Sequence, residues 1–279
     1  MGVSGSGLGS RLRRIGINWD RVDVGDGSDI GNVKYALRQG VKCLVLFNPD
    51  LAGLTPQTAA LELRALARKI LPLGLDEIEF GNEVYDHGST PRSYAAQYAA
   101  AHASVAGLHI TLIADSFGDY ERPNGTWSQD ASGGGWIHDF IHALPADSRQ
   151  IGAFSIHPYG PMNRLRSGED SGWPAVARYH ALAVANHVDV PWYVTEVGQN
   201  LGDSNTSPPV NPGTQAADIT RYLSDTLSKY RWVTYLDFYA IKDNASGRWG
   251  LLDSDESPRP AYQALATWMA AHLGAGSRR

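Results

Sequence analysis

Short apolar runs recur along the 279-residue chain, and each is followed by a longer segment of helical period. The runs that read as strands are RIGINW (14–19), KCLVLF (42–47), EIEFGN (77–82), HITLIAD (109–115), IGAFSIH (151–157), PWYVTE (191–196) and VTYLDFYAI (233–241). Between them, Thr55-Pro56 and Thr90-Pro91 each place a capping hydroxyl ahead of a proline at the first helical position. Further helices are expected at 32–39, 136–144, 174–187, 215–229 and 261–272. A strand that always feeds a helix can pair with the next strand only in parallel, so the alternation demands a parallel sheet. Roughly eight helices against seven clear strands predict an α/β chain closed as a (β/α)8 TIM barrel, one domain over residues 1–279. The short or degenerate first strand would be GVSG at the start, with a short helix near 9–14. A doubly wound open sheet is the competing architecture, but no GxGxxG opens an early strand-to-helix turn.

Composition narrows the partners. A net charge of -5 with 19% charged residues offers no basic surface for nucleic acid. The 43% apolar fraction suffices for a large core. The single cysteine, Cys43, lies in the apolar run VKCLVLF, which rules out an intrachain disulfide and predicts a buried thiol. No run reaches the ~18 apolar residues of a membrane span, and the first residues hold no apolar stretch of signal-peptide length. A soluble chain is expected, compatible with a cytoplasmic or a mature secreted form. Neither HExxH, HxH nor CxxC occurs, so the expected chemistry uses no metal or other cofactor.

In such a barrel the polar residues that end buried strands gather at one mouth. Glu83 directly follows the run EIEFGN, and Glu196 ends PWYVTE. Their strands lie three steps apart, which sets the two carboxylates on opposite sides of the mouth. Paired carboxylates across a cleft suit glycosidic bond cleavage, where one protonates the leaving oxygen while the other attacks or activates water from the opposite face. FSIHPYG supplies a third strand end, with His157 and Tyr159 two residues apart and so on one face of an extended chain. A phenol close to Glu196 would favour its ionised form, and His157 would contact substrate hydroxyls or tune either acid.

These segments, in this order, resemble the clan A retaining glycoside hydrolases, (β/α)8 enzymes that include cellulases, mannanases, β-xylosidases and β-glucosidases. INWDRVDV is similar to their second strand with its arginine, IEFGNE to the fourth, SIHPYG to the sixth and WYVTEVG to the seventh. The closing YLDFYAIKDNASGRWGLLDSDESPRPAYQAL resembles their eighth strand and last helix. The resemblance implies a retaining hydrolase of β-glycosidic bonds in a poly- or oligosaccharide, with Glu83 as acid/base and Glu196 as nucleophile. It implies Asn82 as partner of the sugar 2-hydroxyl, and Arg21, His157 and Tyr159 as the surrounding shell. It also implies carboxyl groups about 5–5.5 Å apart, and an acid/base that is protonated in the first step and ionised in the second. Three departures stand out. Gly81 replaces an aromatic residue, Val84 a proline, and Phe238 and Tyr239 stand where a tryptophan platform is usual, a role Trp249 in SGRWGLLD could take.

Other residues read more plainly. Glu79 is expected inside the barrel with an arginine partner. Asn48 and Asp115-Ser116 also end strands. Phe117, Tyr120, Trp127, Trp136 and Trp173 lie in stretches read as loops, where rings stack on sugars or simply pack. DSDES from Asp253 lacks calcium-loop spacing and reads as a solvated turn. The stretch from Asn200 to Gly213, rich in turn formers, is expected either to rim the cleft or to be simply mobile. A catalytically silent carbohydrate-binding barrel is the alternative function, and its one encouragement is the reduced first strand.

Overall fold

A computed structural model describes residues 2–4, 13–118, 135–146, 151–159, 172–202 and 210–273. Eight parallel strands close into a barrel in chain order: β1 (Gly2–Ser4), β2 (Trp19–Asp23), β3 (Lys42–Phe47), β4 (Glu77–Phe80), β5 (Thr111–Gly118), β6 (Ala153–His157), β7 (Trp192–Val197) and β8 (Val233–Tyr239). The reduced first strand is real: β1 has three residues and meets β2 only at the Gly2 and Trp19 pair, while it runs beside β8 from Asp237 to Tyr239. Of the helix expected near 9–14 only Arg13 and Arg14 are described, and both are helical.

Two departures from the sequence expectation bear on the site. RIGINW is not a strand: Arg14 closes a helical turn, Gly16 turns with φ +83°, and β2 starts at Trp19. EIEFGN loses its last two residues, because Gly81 (φ +93°) and Glu83 (φ +49°) leave the extended region directly after Phe80.

Alternation sorts the strand side chains. On β3, Cys43, Val45 and Phe47 join the outer core against the helices, while Leu44 joins Ile113, Ala153, Tyr193 and Tyr235 inside the barrel. The helices bury one stripe each. In Pro56–Ile70 the buried positions are Ala59, Ala60, Leu63, Leu66, Ala67 and Ile70, the spacing of a single face. Fully covered leucines such as Leu63 and Leu66 each contribute about 1.5–3 kcal/mol. Both proline-led starts are capped as expected: Thr55 accepts from the Thr58 amide, and Thr90 and Ser93 form a capping box. Two loop rings prove to be core. Trp136 lies in the helix Gly135–Ala143 against Tyr94 and Phe140, and buried Trp173 donates to Asp225 while packing on Tyr222. Tyr120 and Trp127 lie outside the described residues, as does the Phe117 side chain.

Gly81 explains its own departure from the family pattern. A Cβ there would lie 2.5 Å from Val84 Cγ1, at a φ that L residues avoid. Gly81→Ala is expected to cost about 2–5 kcal/mol, combining roughly 1–2 for the backbone with roughly 1–3 for overpacking. A denaturant midpoint unchanged from the parent protein would contradict this account.

Candidate active site

Each side chain at the mouth is aimed by a local break in strand geometry. On β7 the pairing with β8 shifts between Val194 and Val197. Regular pleating would send Thr195 and Glu196 to opposite faces, but the irregularity lets both reach the barrel interior and mouth. On β4 the turn at Gly81 does the same for Asn82 and Glu83. Glu83 itself occupies the left-handed region, a conformation that costs a non-glycine residue of order 1 kcal/mol and that tends to occur at functional sites.

Arg21 rises from β2 into the centre and spends its guanidinium on three acceptors. Its Nε donates to Glu79 at 2.5 Å, Nη1 to Glu196 at 2.6 Å and Nη2 to the Asn82 side-chain oxygen at 2.7 Å. Glu79 is completely buried, with the arginine partner the sequence asks for. Thr195 donates to the other Glu79 oxygen at 2.8 Å and also meets His157 Nε2 at 3.1 Å. His157 Nδ1 lies 2.9 Å from Glu83 Oε1 and 3.8 Å from Glu196 Oε2. Tyr159 donates to Glu196 Oε2 at 2.7 Å. The two carboxylates are therefore linked through the barrel interior in the sequence Glu196, Arg21, Glu79, Thr195, His157, Glu83.

This wiring sets the charges. Burial alone would push the Glu196 carboxyl up, but the charges of His157 and Arg21 and the hydrogen bonds from Tyr159 and Arg21 outweigh it and hold the group below the ordinary glutamate value. Burial opposes the His157 charge too, yet Glu196 and Glu83 raise the imidazole above its usual value. Burial and then the Glu196 charge push the Tyr159 phenol well up, so it stays a donor. Burial, with the charge of Asp20, likewise raises the Asp237 carboxyl far above its usual range.

Of the residues expected at the site, Arg21, Asn82, Glu83, His157, Tyr159, Glu196 and Tyr239 come together. His157 is fully buried and its nitrogens face Glu83 and Thr195. Trp249, only 5% exposed, stands edge-on against Tyr159 (5.1 Å) and Tyr239 (6.1 Å). Tyr239, braced by Asn244 and Ser246, is the ring that lines the cavity. That cavity, about 220 Å³, is bounded by Arg21, Asp23, Leu46, Asn82, Glu196 and Tyr239. A second, about 260 Å³, adjoins it at Asn82 and is lined by Asn48, Asp50, His87 and Ser89 among others. Asn48 donates to Asp23 at 3.1 Å, which joins the two rims, while the Asp115 and Ser116 side chains lie outside the described residues. Asn200, expected at the cleft rim, is instead buried, taking the Gly202 and Arg248 amides, and 203–209 lie outside the described residues. Sequence reasoning missed Thr195 as a site residue, because strict alternation assigns it to the face opposite Glu196.

No protein-family model and no curated protein sequence matches the chain. Solved structures do. A GH128 (subgroup II) endo-beta-1,3-glucanase from Sorangium cellulosum superposes with a TM-score of 0.67 at 15% identity, covering 95% of this chain and 97% of that one. A GH128 (subgroup I) endo-beta-1,3-glucanase from Amycolatopsis mediterranei, a glutamate-to-glutamine mutant in complex with laminarihexaose, gives 0.62 at 15% identity over 95% and 98%. A family 17 beta-1,3-glucanosyltransferase from Rhizomucor miehei gives 0.60 at 15% over 93% and 95%. The chain thus has the (β/α)8 fold of these glycoside hydrolases along nearly its whole length.

Proposed function

We propose that the protein is a retaining glycoside hydrolase that cleaves β-glycosidic bonds of a poly- or oligosaccharide, with Glu196 as nucleophile and Glu83 as acid/base. The observation that carries this reading is the shared His157 nitrogen, 2.9 Å from one carboxylate and 3.8 Å from the other. It keeps the two nearest oxygens within the sum of those distances. That upper bound, about 6.7 Å, accommodates the ~5–5.5 Å of a retaining pair and overlaps only the lowest edge of the ~6.5–9.5 Å that an inverting enzyme needs to seat its water.

The asymmetry of the pair supports this division of roles. Glu196 is 16% exposed, held ionised by Arg21 and Tyr159, and so is suited to attack the anomeric carbon. Glu83, 23% exposed and facing a titratable ring, is suited to give a proton to the departing oxygen. The first step forms the bond from Glu196 to the anomeric carbon and releases the alcohol with the Glu83 proton. In the second, water gives a proton to Glu83, its oxygen bonds to the anomeric carbon and Glu196 leaves as carboxylate. Asn82, its oxygen committed to Arg21, presents its amide NH2 to the sugar 2-hydroxyl. The adjoining polar cavity past Asn82 supports an oligomeric substrate, since a single sugar would leave it unused. Because both end-to-end GH128 neighbours are endo-beta-1,3-glucanases, β-1,3-glucan is the first substrate class to try.

The test is mass spectrometry after incubation with 2-deoxy-2-fluoro glycosides bearing an activated leaving group, laminari-oligosaccharide derivatives included. A glycosyl adduct mapped to Glu196 is expected. Binding of several sugars without labelling by any would favour the silent carbohydrate-binding barrel.

A further inference from the structure

Glu79 is a third carboxylate under the site, fully buried, and the reaction as written makes no use of it. Its two oxygens are engaged by Arg21 and by Thr195. A carboxylate only accepts, so the single hydroxyl proton of Thr195 is committed to Glu79. Toward His157 the Thr195 oxygen can then only accept. His157 Nε2 must carry a hydrogen, and Nδ1 is left to face Glu83 Oε1 at 2.9 Å. A contact that short needs one proton between the nitrogen and the oxygen, whichever atom holds it.

We propose that Glu79, acting through the Thr195 hydroxyl, fixes the tautomer of His157 so that His157 Nδ1 and Glu83 share the one proton the acid step consumes. Glu79 and Thr195 are positioning residues: neither touches the reacting atoms. The consequence for turnover rests on the glycosidase reading, whereas the direction of the hydrogen bonds does not. In the first step the shared proton leaves with the departing alcohol. A nitrogen lone pair then faces a carboxylate, which favours recapture of a proton from the attacking water in the second step. The Nε2 hydrogen never moves. Among the described residues, the charged and titratable groups around this chain are Arg21 from β2, Glu83 beyond β4, Tyr159 beyond β6, Glu196 from β7, and Asp237 and Tyr239 from β8.

Glu79→Gln reverses the direction. Arg21 has only donors, so it takes the amide oxygen and turns the NH2 toward Thr195. The hydroxyl then accepts, rotates its own proton onto His157 Nε2, and drives the ring hydrogen to Nδ1. Glu83 is left as a carboxylate receiving a hydrogen bond from a neutral ring, with no proton to pass on.

Nitrogen-15 NMR of the ring, with His157 assigned by its loss in His157→Asn, reads the tautomer directly. In the unaltered protein, Nε2 is expected to stay protonated throughout a pH titration while only Nδ1 titrates. In Glu79→Gln the order should invert. In parallel, kcat/KM for a glycoside with a poor leaving group should fall roughly 10²–10⁴-fold, while an activated aryl glycoside changes less than about tenfold. Thr195→Val should show the same dependence on leaving group and Thr195→Ser should restore it, a pair that keeps the test valid if Glu79→Gln does not fold. An Nε2 that titrates in the unaltered protein overturns the proposal. So does an equal loss on both leaving groups in the folded variants with the titration order unchanged, the mark of a merely structural Glu79. If the ring titrates as expected but no glycoside is hydrolysed, the tautomer assignment stands and the glycosidase reading falls.

Discussion

Replacing Glu196 by alanine is expected to lower turnover by about a millionfold, the scale of removing a covalent nucleophile from an otherwise intact site. The fold should survive, because Arg21 keeps Glu79 and Asn82 as partners. A small anion such as azide, admitted to the space the side chain vacates, should restore part of the rate with an activated glycoside. Its product would be a glycosyl azide of inverted anomeric configuration, since attack comes from the nucleophile's face in a single displacement. Kinetics with and without azide, together with the configuration of the product, check this. A variant that keeps a tenth of the parent activity would remove Glu196 from the role. In the parent protein the same residue predicts the acidic limb of the pH profile. Its carboxyl is held down, against burial, by His157, Arg21 and Tyr159, so it stays ionised below the ordinary glutamate value. The acidic limb of kcat/KM should accordingly lie below that value, with activity lost as pH falls through the depressed one.

Glu83→Gln is the second large effect, and it has a different shape. The amide cannot protonate a departing oxygen or activate water, so poor substrates should lose roughly 10²–10⁴-fold. With a dinitrophenyl leaving group the first step needs no acid, and only the second is slowed. The expected result is a burst of one equivalent of phenol per enzyme, followed by slow turnover, with the adduct visible by mass. Equal losses for good and poor leaving groups would show that Glu83 supports the fold of the loop and not the proton transfer. Its left-handed backbone makes that alternative concrete, and a leaving-group series separates the two.

Two neighbouring strands of the barrel were legible to different degrees. β3, apolar after its leading lysine, was readable at its observed bounds from Lys42 to Phe47. β2 was not: Asp20, Arg21 and Asp23 break its apolar run, and the alternating Ile15 and Ile17 just before it drew the reading upstream. The polar residues that obscure β2 include the one that organises the site, as expected where function overrides local pattern. The resemblance of INWDRVDV, by contrast, marks Arg21 directly. The helix at Pro212–Ser228 shows a different failure, since Asn211 caps it and Pro212 opens it, yet both sit in a stretch whose turn formers suggested loop. Glu79 was legible as a buried, paired carboxylate. Its connection to His157 was not, because no sequence rule places a strand irregularity at Thr195.

The hydrogen-bonded chain from Glu196 to Glu83 runs through the barrel interior, and each of its members belongs to β2, β4, β6 or β7 or to the residues directly after β4. None comes from the long connections beyond β5 or β6. On the proposed glycosidase reading, bond cleavage and sugar choice are thus separable in this scaffold. A connection can be lengthened, trimmed or exchanged to accept a different glycan without touching the spacing or the proton inventory of the two acids. For an engineer this makes the barrel a cartridge: its rim can be randomised residue by residue, while any library that admits Thr195 or Glu79 to the variable set should be rich in folded, sugar-binding and inert proteins.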